Sequence, residues 1–170
     1  ILAGFAHILE RKPELREKHG EYLEGIITAA SRIEQIAAAI IEYNSLHIGE
    51  RHVTYLPYFI EQVRAGAERI AAKLGKTVDW SMLVEPFRGR LDPGSLSQAL
   101  LEVLTNAMEA FDGERGVIRV KVEANEGNLC ICIWDNGRGI PSAELPYVLD
   151  PFYTTKAVGI GMGLSKADRI

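Results

Sequence analysis

The segment LEVLTNAMEA, residues 101–110, has the residue spacing of an amphipathic helix and organises the rest of the chain. It follows Asp92-Pro93-Gly94-Ser95, a sequence typical of a helix start. Glu102 and Asn106 are four residues apart and therefore share one face of the helix. A carboxylate and an amide oxygen on that face suit Mg²⁺, which takes only one or two protein oxygens when it also binds phosphate. By itself, the segment is better explained by a solvated polar face with a buried asparagine.

A second polar cluster, Asp135-Asn136-Gly137-Arg138-Gly139-Ile140, directly follows an apolar strand that ends at Trp134. A carboxylate at the end of a strand can accept a hydrogen bond from an exocyclic amine. Glycines at 137 and 139 allow the backbone to approach a flat ring closely. On its own, the segment is equally consistent with a simple Asn-Gly turn.

The third cluster combines Asp150-Pro-Phe-Tyr-Thr-Thr-Lys156 with a Gly-x-Gly-x-Gly run from Gly159 to Gly163 that opens a helix at Leu164. Backbone N–H groups in such a loop point at an anion, and Thr154, Thr155 and Lys156 add hydroxyls and charge. No Gly-Lys-Ser/Thr follows, which excludes a Walker A loop. No apolar strand leads into the glycines, which excludes a Rossmann turn.

Taken together, the three clusters resemble, in order and approximate spacing, the N box, G1 box, F-box region and G2 box of the GHKL (Bergerat) ATPase superfamily. That superfamily contains sensor histidine kinases, type II topoisomerases, Hsp90 and the MutL proteins. The lead-in at residues 150–156 and the short lid before Gly159 look most like histidine kinases of the nitrogen-regulator type. The resemblance covers about residues 52–170.

The resemblance implies a binding site for ATP and Mg²⁺. Asn106 would ligate the metal, and Asp135 would bind the adenine amine above a floor shaped by Gly137 and Gly139. The remaining nucleotide contacts that it implies are on the helix, in the lid and in the glycine loop: Glu109, Thr154, Thr155, Lys156, Gly159, Gly161, Met162, Gly163 and Leu164.

Glu102 departs from the pattern of many related histidine kinases, which carry asparagine four residues before the N-box asparagine. The ATPase branches carry glutamate there, as the base that activates water. Some histidine kinases also have an acid at this position, where it could polarise the attacking imidazole. We therefore expect Glu102 to be catalytic together with Asn106, and an ATP-hydrolysing clamp remains the alternative function.

The remainder of residues 49–170 predicts an α+β domain with helices on one face of a mixed sheet. Strands are expected at 52–56, 77–84, 117–124 and 129–134, the last two joined as a hairpin. A helix is expected at 57–74, with Gly75 as its C-cap.

Residues 1–48 predict part of an antiparallel helical hairpin that serves dimerisation and phosphoacceptance. Arg11-Lys12-Pro13 interrupts the first arm, and the second helix runs for about 28 residues. A heptad seam follows it: Leu23, Ile26, Ala30, Ile33, Ala37 and Ile40. Because the stripe is wider than a two-helix seam, we expect a homodimer with a four-helix bundle. From the family pattern we expect the fold to be trimmed at both ends.

The phosphoacceptor histidine is expected about nine or ten residues upstream of residue 1, because residues 1–6 resemble the stretch that follows the family's acceptor motif. His7 is the weaker candidate, since isoleucine follows it where the family has an acid. The histidines at 19, 47 and 52 are expected to be structural or exposed.

Composition excludes several other classes. With a net charge of −4 and no basic stripe, the chain is not expected to bind nucleic acid. No apolar run reaches the length of a membrane span, so no direct membrane contact is expected, and an anchor would lie outside this fragment. Cys130 and Cys132 are expected to share one face of a core strand as small hydrophobes, without a disulfide. A Cys-x-Cys metal site is the weaker alternative, because no further cysteine or histidine lies at ligand spacing. We expect a cytoplasmic histidine kinase core that passes phosphate to a response-regulator receiver domain.

Overall fold

A computed structural model describes residues 4, 8–9, 11–46, 49–125, 128–156 and 159–170. The chain divides into two compact units, Ile1–Ser45 and Leu46–Ile170. Within the described part of the chain, no helix is both long enough and apolar enough to cross a membrane.

The first unit is dominated by helix α1, Pro13–Ser45. His19 departs from helical geometry with φ −138° and ψ 19°, and this departure separates a short first segment from a long second one. The second segment agrees with the predicted long helix. Gly4, Ile8 and Leu9 are also helical, and a turn at Arg11 and Lys12 precedes α1. The rest of the predicted first arm, including His7, lies outside the described residues.

Four of the six predicted seam residues on α1 are exposed in the single chain. Leu23 and Ala30 are buried, whereas Ile26, Ile33 and Ile40 are 46%, 63% and 40% exposed. These three isoleucines recur every seven residues, so α1 carries an apolar row on its surface.

The second unit contains a small sheet and a larger one. Its elements are β1 (His52–Tyr55), α2 (Leu56–Lys73), β2 (Thr77–Val84), β3 (Arg88–Leu91), α3 (Pro93–Glu109), β4 (Arg115–Asn125), β5 (Asn128–Asp135), a 3₁₀ turn (Leu145–Tyr147) and α4 (Gly163–Arg169). Strands β1 and β3 pair antiparallel. In the larger sheet, β4 lies between a parallel β2 and an antiparallel β5. The sheet is therefore mixed, as predicted.

The hydrophobic core lies on one face of the larger sheet, where α2 and α3 pack. From Gly116 to Val122 every second residue of β4 is buried against these helices, and α2 and α3 contribute matching apolar faces. The buried side chains of this core include Leu56, Phe59, Ile60, Val63, Leu100, Leu104, Met108, Ile118, Val120 and Val122. This arrangement confirms the predicted α+β fold with helices on one face.

The ends of α2 and α3 follow their predicted caps. Gly75 has φ +65°, and the N–H groups of Gly75 and Lys76 bond to the carbonyls of Ala72 and Ala71, which is the Schellman pattern. At the start of α3, the Asp92 carboxylate accepts the backbone N–H groups of Gly94 at 3.0 Å and of Ser95 at 3.1 Å. Both helices therefore have fixed ends.

Two features differ from the sequence prediction. Strand β3 was not predicted, because Arg-Gly-Arg-Leu has no apolar alternation; it forms by pairing with β1, where the Arg88 guanidinium lies 5.1 Å above the Tyr55 ring. The placement of the cysteines in the core was also wrong. Ile131 and Ile133 of β5 pack against the core, so strand alternation places Cys130 and Cys132 on the opposite face, where Cys130 is exposed. Both cysteines are free, as expected.

Candidate functional site

The site is built on the polar face of α3. The apolar face of this helix, with Leu100, Leu104 and Met108, is buried in the core. Helical spacing therefore places Glu102, Asn106 and Glu109 on the other side, away from the sheet. From Glu102 to Ala110 this face extends about 12 Å at 1.5 Å per residue.

The segment before the glycine loop, Phe152 to Lys156, is called the lid below, and it contacts α3 through Lys156. The Lys156 ammonium donates to Asn106 Oδ1 at 2.9 Å and also to the Glu109 carboxylate. Its backbone N–H is held by Thr154 Oγ1 at 3.1 Å. An amide oxygen and a carboxylate, both predicted to contact the nucleotide or its metal, thus already share one cation.

The glycine loop is held against the start of the lid at Gly161. Gly161 has φ +72°, in the left-handed region that favours glycine. Its carbonyl accepts the N–H of Phe152 at 2.9 Å. A Cβ at residue 161 would lie 2.6 Å from the carbonyl carbons of Phe152 and Tyr153. Only glycine permits this close approach of two backbone segments.

The end of the glycine loop contacts α3 one turn before Asn106. A Cβ on Gly163 would lie 2.9 Å from Glu102 Oε2, and the Glu102 carboxylate also pairs with the Lys166 ammonium at 3.6 Å. Met162 is buried, and its carbonyl accepts the Ser165 hydroxyl at 3.0 Å. Glu102 therefore ties α3 to the first turn of α4.

The segment after β5 packs against the C-terminal end of α3. The exposed Asp135 carboxylate accepts the N–H of Gly137 at 2.8 Å. Asn136 Oδ1 accepts the N–H of Val117 at 2.7 Å. A Cβ on Gly137 would lie 2.7 Å from the Ala110 carbonyl oxygen, and the next N–H, of Arg138, donates to that oxygen at 2.9 Å. Glycine at 137 is therefore required for this close contact.

An aromatic pair joins the 3₁₀ turn to the lid. The Tyr153 and Tyr147 rings lie 5.8 Å apart between centroids. Burial raises the pKa of the Tyr153 phenol, and the Glu144 carboxylate adds to the shift. Tyr153 therefore stays neutral at physiological pH and can donate a hydrogen bond.

Besides its own Glu102, Asn106 and Glu109, α3 or its C-cap is contacted by three predicted site residues: Gly137, Lys156 and Gly163. Thr155 is exposed, Leu164 is half-buried, and an added Cβ at Gly139, where φ is +68°, would meet nothing within 4 Å. Two contributors were missed: Ala110, whose carbonyl anchors the Asp135 segment, and Lys166, which pairs with Glu102. The position of Lys166 three residues after Gly163 was the signal for the latter, because it places the side chain in the first turn of the helix.

Comparison with known proteins agrees with this geometry. Residues 91–170 match the family model described as histidine kinase-, DNA gyrase B- and HSP90-like ATPase. The signal transduction histidine-protein kinase AtoS of Escherichia coli K12 is 28% identical over 99% of the chain. A putative NtrY-like sensor histidine kinase of Rickettsia prowazekii is 25% identical over 100% of it. The chain spans only 28% of the length of each.

The fold is similar to that of histidine kinase ThkA. Its nucleotide-free catalytic domain superposes with a TM-score of 0.61 at 29% identity, covering 72% of this chain and 80% of that one. ThkA in complex with the response regulator TrrA gives a TM-score of 0.62 at 26% identity, covering 94% of this chain and 48% of that one. The nitrogen-regulator resemblance is consistent with the NtrY-like relative. Residues 91–170 thus match the histidine kinase-, DNA gyrase B- and HSP90-like ATPase family, and the chain as a whole is similar to sensor histidine kinases.

Proposed function

We propose that this chain is the catalytic core of a sensor histidine kinase. It binds ATP with Mg²⁺, directs the γ-phosphoryl group to a histidine of its own protein, and the phosphohistidine then supplies an aspartate on a response-regulator receiver domain. The domain assignment is 1–48 for the dimerising, acceptor-bearing stem and 49–170 for the nucleotide-binding domain. We place the reaction in the cytoplasm, where ATP is available.

The observation that carries this proposal is the convergence of three separate segments on one face of α3. The glycine loop contacts Glu102, the lid contacts Asn106 and Glu109 through Lys156, and the segment after Asp135 contacts Ala110. Each segment is a poor predictor of function alone. Together on about 12 Å of helix they provide an adenine acceptor, a metal ligand and a phosphate loop in linear order.

The donor set near Asn106 fits a divalent cation. Asn106 Oδ1 and the Glu109 carboxylate both accept hydrogen bonds from the Lys156 ammonium. Both are hard oxygen donors of the kind that Mg²⁺ prefers. Asn106 would hold the metal, and bound Mg²⁺ would neutralise charge on the triphosphate. Lys156 would then leave Asn106 and pair with the phosphates, as a mobile cation of the lid.

The adenine end of the site depends on Asp135. The contact between Asp135 and Gly137 N–H fixes one carboxylate oxygen, which leaves the other available to a ligand amine. The tight packing of Gly137 on Ala110 fixes the position of this segment relative to α3. The distance between adenine and phosphate subsites is therefore set by backbone contacts rather than by long side chains.

The stem supports the kinase over the hydrolase. Helix α1 exposes Ile26, Ile33 and Ile40 at heptad spacing, which is the surface that a second copy would cover in a four-helix bundle. An ATP clamp whose chain starts near its nucleotide domain has no use for such a stem. ThkA has been solved in complex with a response regulator, which supports a receiver domain as partner.

The hydrolase alternative rests on Glu102 acting as a base toward water. In the structure its carboxylate pairs with Lys166 and lies against Gly163. This contact supports a role for Glu102 in holding the glycine loop.

The nucleotide site is tested with Asp135→Asn. Loss of a hydrogen bond to a charged acceptor costs about 1.5–3 kcal/mol, so ATP affinity should fall by about 10- to 100-fold in calorimetric titrations. Asp79→Asn is the matched control, because Asp79 pairs with Arg115 at 2.8 Å on the far face of the sheet and should leave ATP binding unchanged. Unchanged affinity in Asp135→Asn would contradict the assignment.

The transfer step is tested in the complete protein. Incubation with γ-labelled ATP should give a label on the protein that is stable to base and labile to acid, and the label should move to a receiver domain. Turnover of ATP without a phosphoprotein would favour the hydrolase. Retention of label on His7 would place the acceptor within this chain instead of upstream.

A further inference from the structure

The outer face of the larger sheet, opposite α2 and α3, carries both cysteines of the chain. Strand alternation places Cys130, Cys132 and Trp134 of β5 on this face, next to Lys121 and Glu123 of β4. The two Sγ atoms are 3.6 Å apart, Cys130 is exposed and Cys132 is half-buried. None of these side chains takes part in the nucleotide site proposed above.

We propose that Cys130 and Cys132 form a chelating dithiolate site for a thiophilic divalent cation with tetrahedral coordination, the class of Zn²⁺ and Cd²⁺. Zinc binds thiolate sulfur at about 2.3 Å. A metal at that distance from two sulfurs 3.6 Å apart would subtend an S–metal–S angle of about 103°, close to tetrahedral. The pair can therefore take up the ion with little movement of the strand.

The same geometry disfavours a disulfide between the two cysteines. Residues i and i+2 of a strand have Cα atoms about 6.6 Å apart, at the upper end of the range that a disulfide spans, so a disulfide would distort β5.

The side chains around the two cysteines leave the proposed metal site open to solvent, with few protein ligands. In the register of β4 and β5, Glu123 lies opposite Cys130 and Lys121 lies opposite Cys132. Lys121 pairs with Glu123 at 2.6 Å, so its ammonium offsets negative charge next to the sulfurs. Across the described ranges, no three His, Cys, Asp or Glu side chains are arranged to hold a metal. Two thiolates therefore supply the protein ligands, and water fills the remaining positions.

The site is independent of nucleotide binding. Cys132 precedes Asp135 by three residues, about 10 Å along the strand, and its side chain is on the face opposite the core. Metal uptake therefore has a readout of its own, and the proposal does not require the kinase activity to be correct.

The test uses the reduced 170-residue chain with Cd²⁺ and Zn²⁺ alone as probes. Cd²⁺ should give a thiolate-to-metal charge-transfer absorption that saturates at one equivalent, and Zn²⁺ should compete for the same site. Cys130→Ser and Cys132→Ser should each abolish the two-thiolate absorption and lower Cd²⁺ affinity on the order of a hundredfold, because a chelate becomes a single ligand. Since the chain has two cysteines, the signal has no other thiol source.

The controls separate loss of the site from loss of the fold. Cys130→Ala and Cys132→Ala should repeat the effect of the serine variants, while ATP affinity and the urea midpoint stay unchanged. Absence of the absorption in the wild type would overturn the proposal. So would a single-cysteine variant that retains wild-type Cd²⁺ affinity.

Discussion

Substitution of Gly161 by alanine should weaken nucleotide binding with little effect on the stability of the fold. Gly161 has φ +72°, and the left-handed region costs an L-residue about 1–2 kcal/mol. The new Cβ would lie 2.6 Å from the carbonyl carbons of Phe152 and Tyr153, so that one backbone segment must retreat by nearly an ångström. The 2.9 Å hydrogen bond from Phe152 N–H to Gly161 O would be lost with it, at about 1 kcal/mol.

The backbone strain and the lost hydrogen bond add to about 2–3 kcal/mol. Nucleotide binding must supply this free energy to restore the contact between the lid and the glycine loop. ATP affinity in Gly161→Ala should therefore fall by about 30- to 150-fold. Adenosine, which lacks the phosphates, should lose much less. Isothermal titration of ATP and adenosine against the same preparation measures both quantities.

Gly75→Ala is the matched control for this substitution. Gly75 has φ +65°, a value close to that of Gly161, but an added Cβ would meet nothing within 4 Å, and the residue follows α2. It should lower the free energy of unfolding by about 1–2 kcal/mol and leave ATP affinity unchanged. If Gly161→Ala bound ATP as tightly as the wild type while Gly75→Ala was destabilised, the contact between lid and glycine loop would not shape the site.

Two further predictions concern charged side chains. Lys156→Met should lower ATP affinity by about 10- to 100-fold and leave adenosine affinity unchanged, because Lys156 is proposed to serve the phosphate end; equal losses for both ligands in calorimetry would contradict this role. Hydrogen bonds from Ser95 and from backbone N–H groups lower the pKa of Asp92, so its stabilisation of α3 is present above the unfolded pKa and disappears as pH falls through the folded one. Asp92→Ala should therefore be destabilised at neutral pH, with a difference from wild type in urea midpoint that shrinks in acid, whereas Asp92→Asn retains a cap and should show a smaller difference.

The sequence predicted the elements whose signals are local. Strand β2 was predicted with its observed limits, because apolar alternation over residues 77–84 needs no partner to be recognised. Helix α2 was predicted within one residue at each end, since Gly75 can adopt the left-handed conformation that ends it. The start of α3 follows from Asp92, whose carboxylate caps the helix.

The features that were missed depend on contacts between distant residues. Strand β3 has two arginines and a glycine among its four residues, and only pairing with β1 makes it a strand. The alternation along β5 predicts that one face of the strand is buried, but it does not tell which face. Cys130 and Cys132 were therefore assigned to the wrong one. The bond between Lys156 and Asn106 joins residues 50 apart in sequence, which no local pattern encodes.

The division of α3 into two faces explains why the site can combine a fixed frame with adjustable loops. Leu100, Leu104 and Met108 are buried in the core, so the positions of Asn106 and Glu102 are fixed by the same packing that stabilises the domain. The lid and the glycine loop instead contact this helix through a few hydrogen bonds and close backbone approaches. Substitutions in the loops should therefore change nucleotide affinity with little effect on unfolding, whereas substitutions on the apolar face of α3 should change both together.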